Sequence, residues 1–221
     1  VLDGKTCIVS GAGNVAQFLV EKLITLGATV VSMSDSTGTL YDPDGIDADK
    51  LAFVVQLKKQ AASSLVAYTE KFKGTRFEEG ARPWAIKGDL AFPCATQNEI
   101  SAGDAKTMLR NGINLVCEGA NMPSMPLAIA AFREAGIAYG PAKAANAGGV
   151  ATSALEMAQN GQRVSWSRDE VDRQLASIMR TIHEKSLRAA ERVDRRGDLH
   201  HGANIAGFVK VADAMLAQGV V

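Results

Sequence analysis

The sequence predicts an α/β fold: a doubly wound, mostly parallel sheet with a helical C-terminal extension. Two observations lead there. Residues 5–35 read strand, Gly-rich turn, helix, strand, which is a βαβ unit. Short apolar runs at 89–92, 114–117 and 137–139 then alternate with helical spacings, before residues 146–221 turn uniformly helical in pattern.

The elements follow in order. Lys5-Thr6-Cys7-Ile8-Val9-Ser10 is β-prone after a turn at Asp3-Gly4. From Asn14 to Leu26 the apolar residues Val15, Phe18, Leu19, Leu23 and Leu26 keep helical spacing, and Gly27 closes the helix. Ala28–Met33 is a buried strand, followed by polar turns at 34–38 and 41–45. Asp47 to about Gln60 is helical, a weaker helix runs from Ser63 to Phe72, and Phe77–Lys87 is loop-like. Asp89–Phe92, Asn114–Cys117 and Ile137–Tyr139 are strands. Helices start at Ser101 and Pro126 between them. Ser167-Arg168-Asp169-Glu170 is a capping box opening a long helix toward Arg196-Gly197, and a last helix covers about Ala203–Gln218. The sheet has five or six strands, and the whole of 1–221 is one domain with 146–221 as its extension.

Composition excludes several function classes. The 221 residues carry 24 Lys plus Arg against 24 Asp plus Glu, so the chain is not a globally basic nucleic-acid binder. No apolar run reaches the roughly 18–20 residues of a membrane span, and no basic-then-apolar leader pattern opens the chain at Val1. Cys7, Cys94 and Cys117 lack any Cys-x-x-Cys spacing and read as reduced thiols of a cytoplasmic protein. His183, inside the long helix, and His200-His201, in a loop between helices, suggest no metal site. Arg188, Arg192, Arg195 and Arg196 alternate with carboxylates as a solvated face.

One segment carries chemistry on its own. Gly11-Ala12-Gly13-Asn14-Val15-Ala16 fits G-x-G-x-x-A between a strand and a helix. Gly11 permits the tight turn, Gly13 lets a pyrophosphate approach the backbone, and small Ala16 lets helix and strand pack closely. Asp35 ends the next strand about twenty residues on, as a dinucleotide-binding, Rossmann-like unit requires. That carboxylate favours NAD. Its neighbours Ser34 and Ser36 are able to donate to a phosphate, and Lys58 on the following helix is placed to reach back, so the residues alone leave NAD against NADP open.

Three further loops follow strands, where open α/β sheets bind ligands: 93–99, 117–123 and 141–150. With them the chain resembles the hexameric glutamate dehydrogenases, in the nucleotide-binding domain of the NADP-type enzymes. The resemblance rests on Ser10–Gln17, Ser34–Ser36, Cys94–Glu99, Glu118–Pro123, Lys143–Ser153 and Gly202–Phe208, and covers essentially the whole chain. It implies that Asn14 and Val15 contact the cofactor pyrophosphate and ribose, and that Ser36 and Lys58 hold the 2′-phosphate of NADP. Thr96 and Gln97 would line the adenosine–ribose side, Asn121 and Asn146 the nicotinamide end, and Ser153 would hydrogen-bond the side-chain carboxylate of L-glutamate. It tolerates Asp35 in NADP-type members, so NADP is preferred to NAD. It also implies a homo-hexamer and a role in nitrogen assimilation. The catalytic lysine and aspartate would lie in an N-terminal substrate domain absent from this sequence, leaving no catalytic residue in this chain. Two alternatives stand beside this reading: a cofactor domain acting with another amino acid, and a non-catalytic dinucleotide-sensing module.

Overall fold

The computed structural model describes residues 2–60 and 64–219. They form two compact units that divide between Ala138 and Tyr139.

The first unit is built on the sheet. β1 (Thr6–Val9), α1 (Asn14–Thr25) and β2 (Thr29–Asp35) make the expected βαβ unit, with β1 and β2 parallel. β3 (Gly38–Tyr41) follows, then α2 (Ala48–Lys58), α3 (Val66–Lys71) and β4 (Arg76–Glu79). A 3₁₀ turn at Pro83–Ala85 leads to β5 (Leu90–Phe92), α4 (Ala102–Arg110), β6 (Leu115–Cys117) and α5 (Pro126–Glu134). β7 (Ala138–Gly140) begins at the division, and Ala138 N–H donates to Asn114 O at 3.1 Å.

Among the described residues the sheet has seven strands in the order β4-β3-β2-β1-β5-β6-β7. β2, β1, β5 and β6 run parallel, while β3 and β4 are antiparallel additions. This corrects the five or six strands expected. The polar stretch 34–38 is not one turn: β2 continues through Asp35, Ser36-Thr37 forms a two-residue connection, and Asp35 pairs Gly38. β4 lies within the stretch read as loop because its Arg76, Glu78 and Glu79 are exposed at the sheet edge. Of the weak helix read at Ser63–Phe72, Ser63 lies outside the described residues and the helix proper is α3.

Strand alternation separates two cores. Cys7 and Val9 of β1 join Val20 and Leu23 of α1 and Leu51 and Val54 of α2 in one apolar cluster. Ile8, between them, is equally buried but points away from that cluster. The crossover direction reverses at β1, with β2 on one side and β5 on the other. That is a topological switch point, outside whose carboxyl ends such sheets bind ligands.

A buried polar cluster anchors α2 and α3. Asp42, fully buried, accepts from Tyr68 Oη at 2.6 Å, Lys50 Nζ at 2.8 Å and Asp44 N–H at 3.1 Å. Burial and the neighbouring Asp42 carboxylate push the Tyr68 phenol above its usual range.

The second unit is helical: α6 (Ala142–Ala145), α7 (Ala147–Gln162), α8 (Arg168–Glu191) and α9 (Leu199–Gln218). α8 stops at Glu191, short of Arg196, where Arg195 N–H folds back on Ala190 O. Its cap is one-armed: Ser167 Oγ accepts from Glu170 N–H at 3.2 Å, while the Glu170 carboxylate is taken by Arg173 and Gln174. α9 starts earlier than Ala203 because Asp198 caps it, accepting from His201 N–H at 3.1 Å. His200 and His201 therefore lie in its first turn, not in a loop. Gly202 presses on the Ser186 carbonyl of α8, where a side chain has no room. Arg188 and Arg196 pair with Glu184 and Glu191 on an exposed face. Among the described residues no helix is long and apolar enough to cross a membrane.

Asp42→Asn keeps the shape of the cluster but removes the charge that Lys50 faces. A hydrogen bond to a charged group is worth about 1.5–3 kcal/mol. We expect urea unfolding to show a loss of about 2 kcal/mol; an unchanged midpoint would contradict the anchoring role of Asp42.

Candidate functional site

The phosphate turn is shaped by serine hydroxyls. The β1–β2 register slips between Cys7 and Ile8, which interrupts the ladder. Ser32 Oγ repairs it, bonding both the N–H and the C=O of Val9 at 3.1 Å. Ser34 Oγ then accepts from Gly11 N–H at 2.8 Å. Gly11 takes φ +85°, a left-handed conformation that suits glycine, and a Cβ there would stand 2.8 Å from Cys94 O.

The turn after β5 is held to the turn after β1 by a second set of bonds. Ser10 Oγ accepts from Cys94 N–H at 2.9 Å and donates to the Glu99 carboxylate. Glu99 Oε1 accepts from Ala95 and Thr96 N–H at 3.1 and 3.3 Å. Glu99 is buried. Burial raises its carboxyl above the ordinary range, although Ser10, the two N–H groups and Arg82 oppose the rise. The loop is tied onward to the one after β6 by Asn98 N–H to Met122 O and Ile100 N–H to Pro123 O, both 2.9 Å.

α1 opens at Gly13 with no side-chain cap and no acid in its first turn, whereas Asp47 and Ser101 cap α2 and α4. Nothing lies within 4 Å of where a Cβ on Gly13 would be. An uncapped, acid-free helix N-terminus beneath open space is a receptor for an anion. It opens on a cleft of about 580 Å³ whose walls are 11–14 with Gln17, 34–36 with Gly38, Lys58, 80–83, 94–96 and Glu99.

At the end of β2, Asp35 is saturated. Its Oδ1 accepts from Thr37 N–H at 2.9 Å and Thr37 Oγ1 at 2.6 Å. Its Oδ2 accepts from Lys58 Nζ at 3.0 Å and Leu65 N–H at 3.1 Å. A carboxylate has about four acceptor sites, so all are in use. Burial works to raise its pKa, but the bonds from Thr37, Lys58 and Leu65 outweigh that and hold it below the ordinary range. Asp35 here braces the hairpin and α2; it is not a free acceptor for ribose hydroxyls.

The structure brings Gly11, Gly13, Asn14, Asp35, Ser36, Lys58 and Thr96 onto this one cleft. Ala16 is buried on the inner side of α1, and Val15 is half exposed with its methyl near Gly119. Gln97 and Asn121 are exposed on the two tied loops. Asn146 is the N-cap residue of α7 in the second unit. Ser153 is exposed on α7, with its Oγ 3.4 Å from Gly149 O. The sequence motifs contain Gln17 and Glu99 but gave them no role, and the 80–83 wall was missed. Pro83-Trp84 was the signal for that wall: Trp84 is buried and its Nε1 donates to Glu99 O at 3.3 Å.

The thiols are inert: burial pushes Cys7 and Cys94 up to about 12 and Cys117 to about 11. The fold does gather Asp198, His200 and His201, one ligand atom each within 4.8 Å of the others. His201 Nδ1 lies 2.9 Å from Asp198 Oδ2, which caps α9. The positive end of the helix dipole at that start opposes a cation, so the group reads as a cap.

Comparison with known proteins agrees with this geometry. A family model described as glutamate/leucine/phenylalanine/valine dehydrogenase matches residues 1–219. An NAD(P)-specific glutamate dehydrogenase of Xylanibacter ruminicola is 54% identical over 99% of this chain and 49% of its own length. An NADP-specific glutamate dehydrogenase of Haemophilus influenzae is 50% identical over 98% of this chain and 48% of its own. The solved structure of Plasmodium falciparum glutamate dehydrogenase 2 superposes with TM-score 0.95 at 45% identity, covering 100% of this chain and 48% of that one. The chain thus spans about half the length of the relatives it matches.

Glu99 sets a pH test. A carboxyl raised in the folded state adds stability below its ordinary pKa and loses it as pH rises through the folded value. Glu99→Gln keeps an oxygen for the two N–H groups and removes that titration. Its unfolding free energy relative to the parent should move in the variant's favour as pH rises above about 4; a pH-independent difference in urea unfolding would contradict the burial account.

Proposed function

The chain belongs to the glutamate/leucine/phenylalanine/valine dehydrogenase family, and from that premise we propose that it is the NADP(H)-binding part of a glutamate dehydrogenase. The complete enzyme would interconvert L-glutamate with 2-oxoglutarate and ammonia. The observation that carries the reading is the end of β2. There a saturated Asp35 stands beside Ser36 and Lys58, on the same cleft as an uncapped helix N-terminus. NAD recognition relies on a carboxylate free to accept from the ribose. A carboxylate already filled by four donors leaves that task undone, and Ser36 and the Asp35-bound Lys58 border the place where a 2′-phosphate would stand. The NADP-specific names of several relatives support the same cofactor.

The residues present fit this cofactor. The N–H groups at the start of α1 would receive the pyrophosphate, and Thr96 would border the adenosine side. When bound, the nicotinamide accepts or gives the hydride. Asn121 and Asn146 would fix the nicotinamide end through their amides, as the resemblance implies. Ser153 makes only a long bond to Gly149 O, easily exchanged for a substrate carboxylate. That role for Ser153, and the glutamate-dehydrogenase names of the relatives, favour glutamate over leucine, phenylalanine or valine. Acid–base groups would be supplied from outside this chain, in an oligomer of the full-length protein.

Fluorescence titration with NADPH and NADH side by side should show tighter NADPH binding, weakened about tenfold by Lys58→Ala. Equal affinities for the two cofactors would refute the phosphate assignment. The purified chain alone should give no glutamate turnover; turnover at an ordinary dehydrogenase rate would overturn its role as the cofactor half.

A further inference from the structure

Among the described residues lining the cleft, two carry a positive charge: Lys58 and Arg82. They are not equivalent. Lys58 Nζ is held at 3.0 Å by Asp35 Oδ2, with side-chain exposures of 22% and 8%. The pair is close to neutral as a unit. A phosphate monoester, by contrast, brings a charge near −2. Lys58 alone therefore leaves most of that charge uncompensated, with the Asp35 carboxylate close by.

Arg82 lines the same cleft, and its backbone position is fixed relative to the Ser36-Thr37 turn. Gly80 N–H donates to Thr37 O at 2.8 Å, and Thr39 Oγ1 donates to Ala81 O at 2.7 Å. Pro83 and Trp84, immediately after, are buried and lock the segment from the other side. The Arg82 side chain is only lightly engaged. Nη1 donates to Glu99 O at 2.8 Å and lies 3.8 Å from Asp104 Oδ2, with over half of the side chain exposed. Trp84 Nε1 also donates to that Glu99 carbonyl, so the carbonyl keeps a partner if the guanidinium turns away. A guanidinium offers five donors in a fork that matches phosphate oxygens two at a time.

We propose that Arg82 is a specificity-determining residue: its guanidinium turns from the Glu99 carbonyl onto the phosphate of a 2′-phosphorylated adenosine and supplies the positive charge that the Lys58–Asp35 pair lacks. The proposal rests on the reading of this cleft as an NADP(H) site. It names a residue that neither the motif nor its spacing marked. The exposed pair with Asp104 is worth little, so giving it up costs little.

The test is the dissociation constant of NADPH and of NADH for the 221-residue chain and for Arg82→Gln and Arg82→Lys. Arg82→Gln should weaken NADPH about tenfold and leave NADH within about twofold, with Arg82→Lys between the two because charge survives and the fork does not. NADH binding doubles as the check that each variant is folded. Equal weakening of both cofactors would mean that Arg82 only braces the Glu99 loop, and would overturn the proposal. So would an unchanged NADPH affinity. If the parent chain itself binds NADPH no tighter than NADH, the NADP(H) reading fails, and the proposal fails with it. A preference for NADPH that survives in Arg82→Gln sinks the Arg82 assignment alone.

Discussion

Everything at the candidate site depends on how closely the backbone at Gly11 passes the carbonyl of Cys94. The two belong to turns that leave β1 and β5, the neighbouring strands between which the sheet changes direction. A cleft opens at such a switch point in any fold of this class, but its shape depends on how the turns are tied. Here they are tied by hydroxyls. Ser34 holds the Gly11 amide, Ser10 holds the Cys94 amide, and Glu99 gathers Ser10 with the amides of Ala95 and Thr96. The bonds to Gly11 and Cys94 satisfy buried backbone N–H groups that leave the ladder, where an unpaired one costs roughly 1–3 kcal/mol. The network therefore stabilises the fold and sets the site in one arrangement.

The same economy explains Asp35. A carboxylate at the end of β2 reads as a mark of NAD, yet the fold fills all of its acceptor sites. The hairpin connection at Ser36-Thr37 folds over one oxygen, and the end of α2 with the start of α3 covers the other. What remains facing the cleft is a serine hydroxyl and positive charge. On the proposed reading, cofactor selectivity would follow from what the carboxylate's neighbours do to it, and not from the identity of the residue at that position.

Much of the fold was legible because it is written locally. The Gly11–Ala16 turn, the helical spacing of Val15 to Leu26 and the Ser101–Asp104 cap each need only a few consecutive residues, and each appears where expected. The antiparallel β3–β4 pair was not legible. Its outer strand is short, charged and exposed, so it lacks the apolar signature of a buried strand. The serine bonds were hidden for the opposite reason. Ser10, Ser32 and Ser34 are almost wholly buried, and nothing in sequence distinguishes a hydroxyl replacing a ladder bond from one facing water. The burial of Glu99 and the placing of Arg82 at the cleft were not legible, because both depend on partners far off in the chain. The start of α9 was misplaced because Asp198 reads as a loop acid until its bond to His201 N–H is seen.

The claim that backbone closeness at Gly11 builds the nucleotide site is tested most directly by Gly11→Ala. The added Cβ would meet Cys94 O at 2.8 Å and occupy a φ that costs a non-glycine residue about 1–2 kcal/mol. Affinity for NADPH and NADH, measured on the variant with its thermal midpoint, gives the result. The account predicts that both cofactors weaken together by at least about tenfold, because the pyrophosphate is common to both, while the chain still unfolds cooperatively at a lower temperature. Parent-like affinity for both cofactors in a folded Gly11→Ala chain would contradict it.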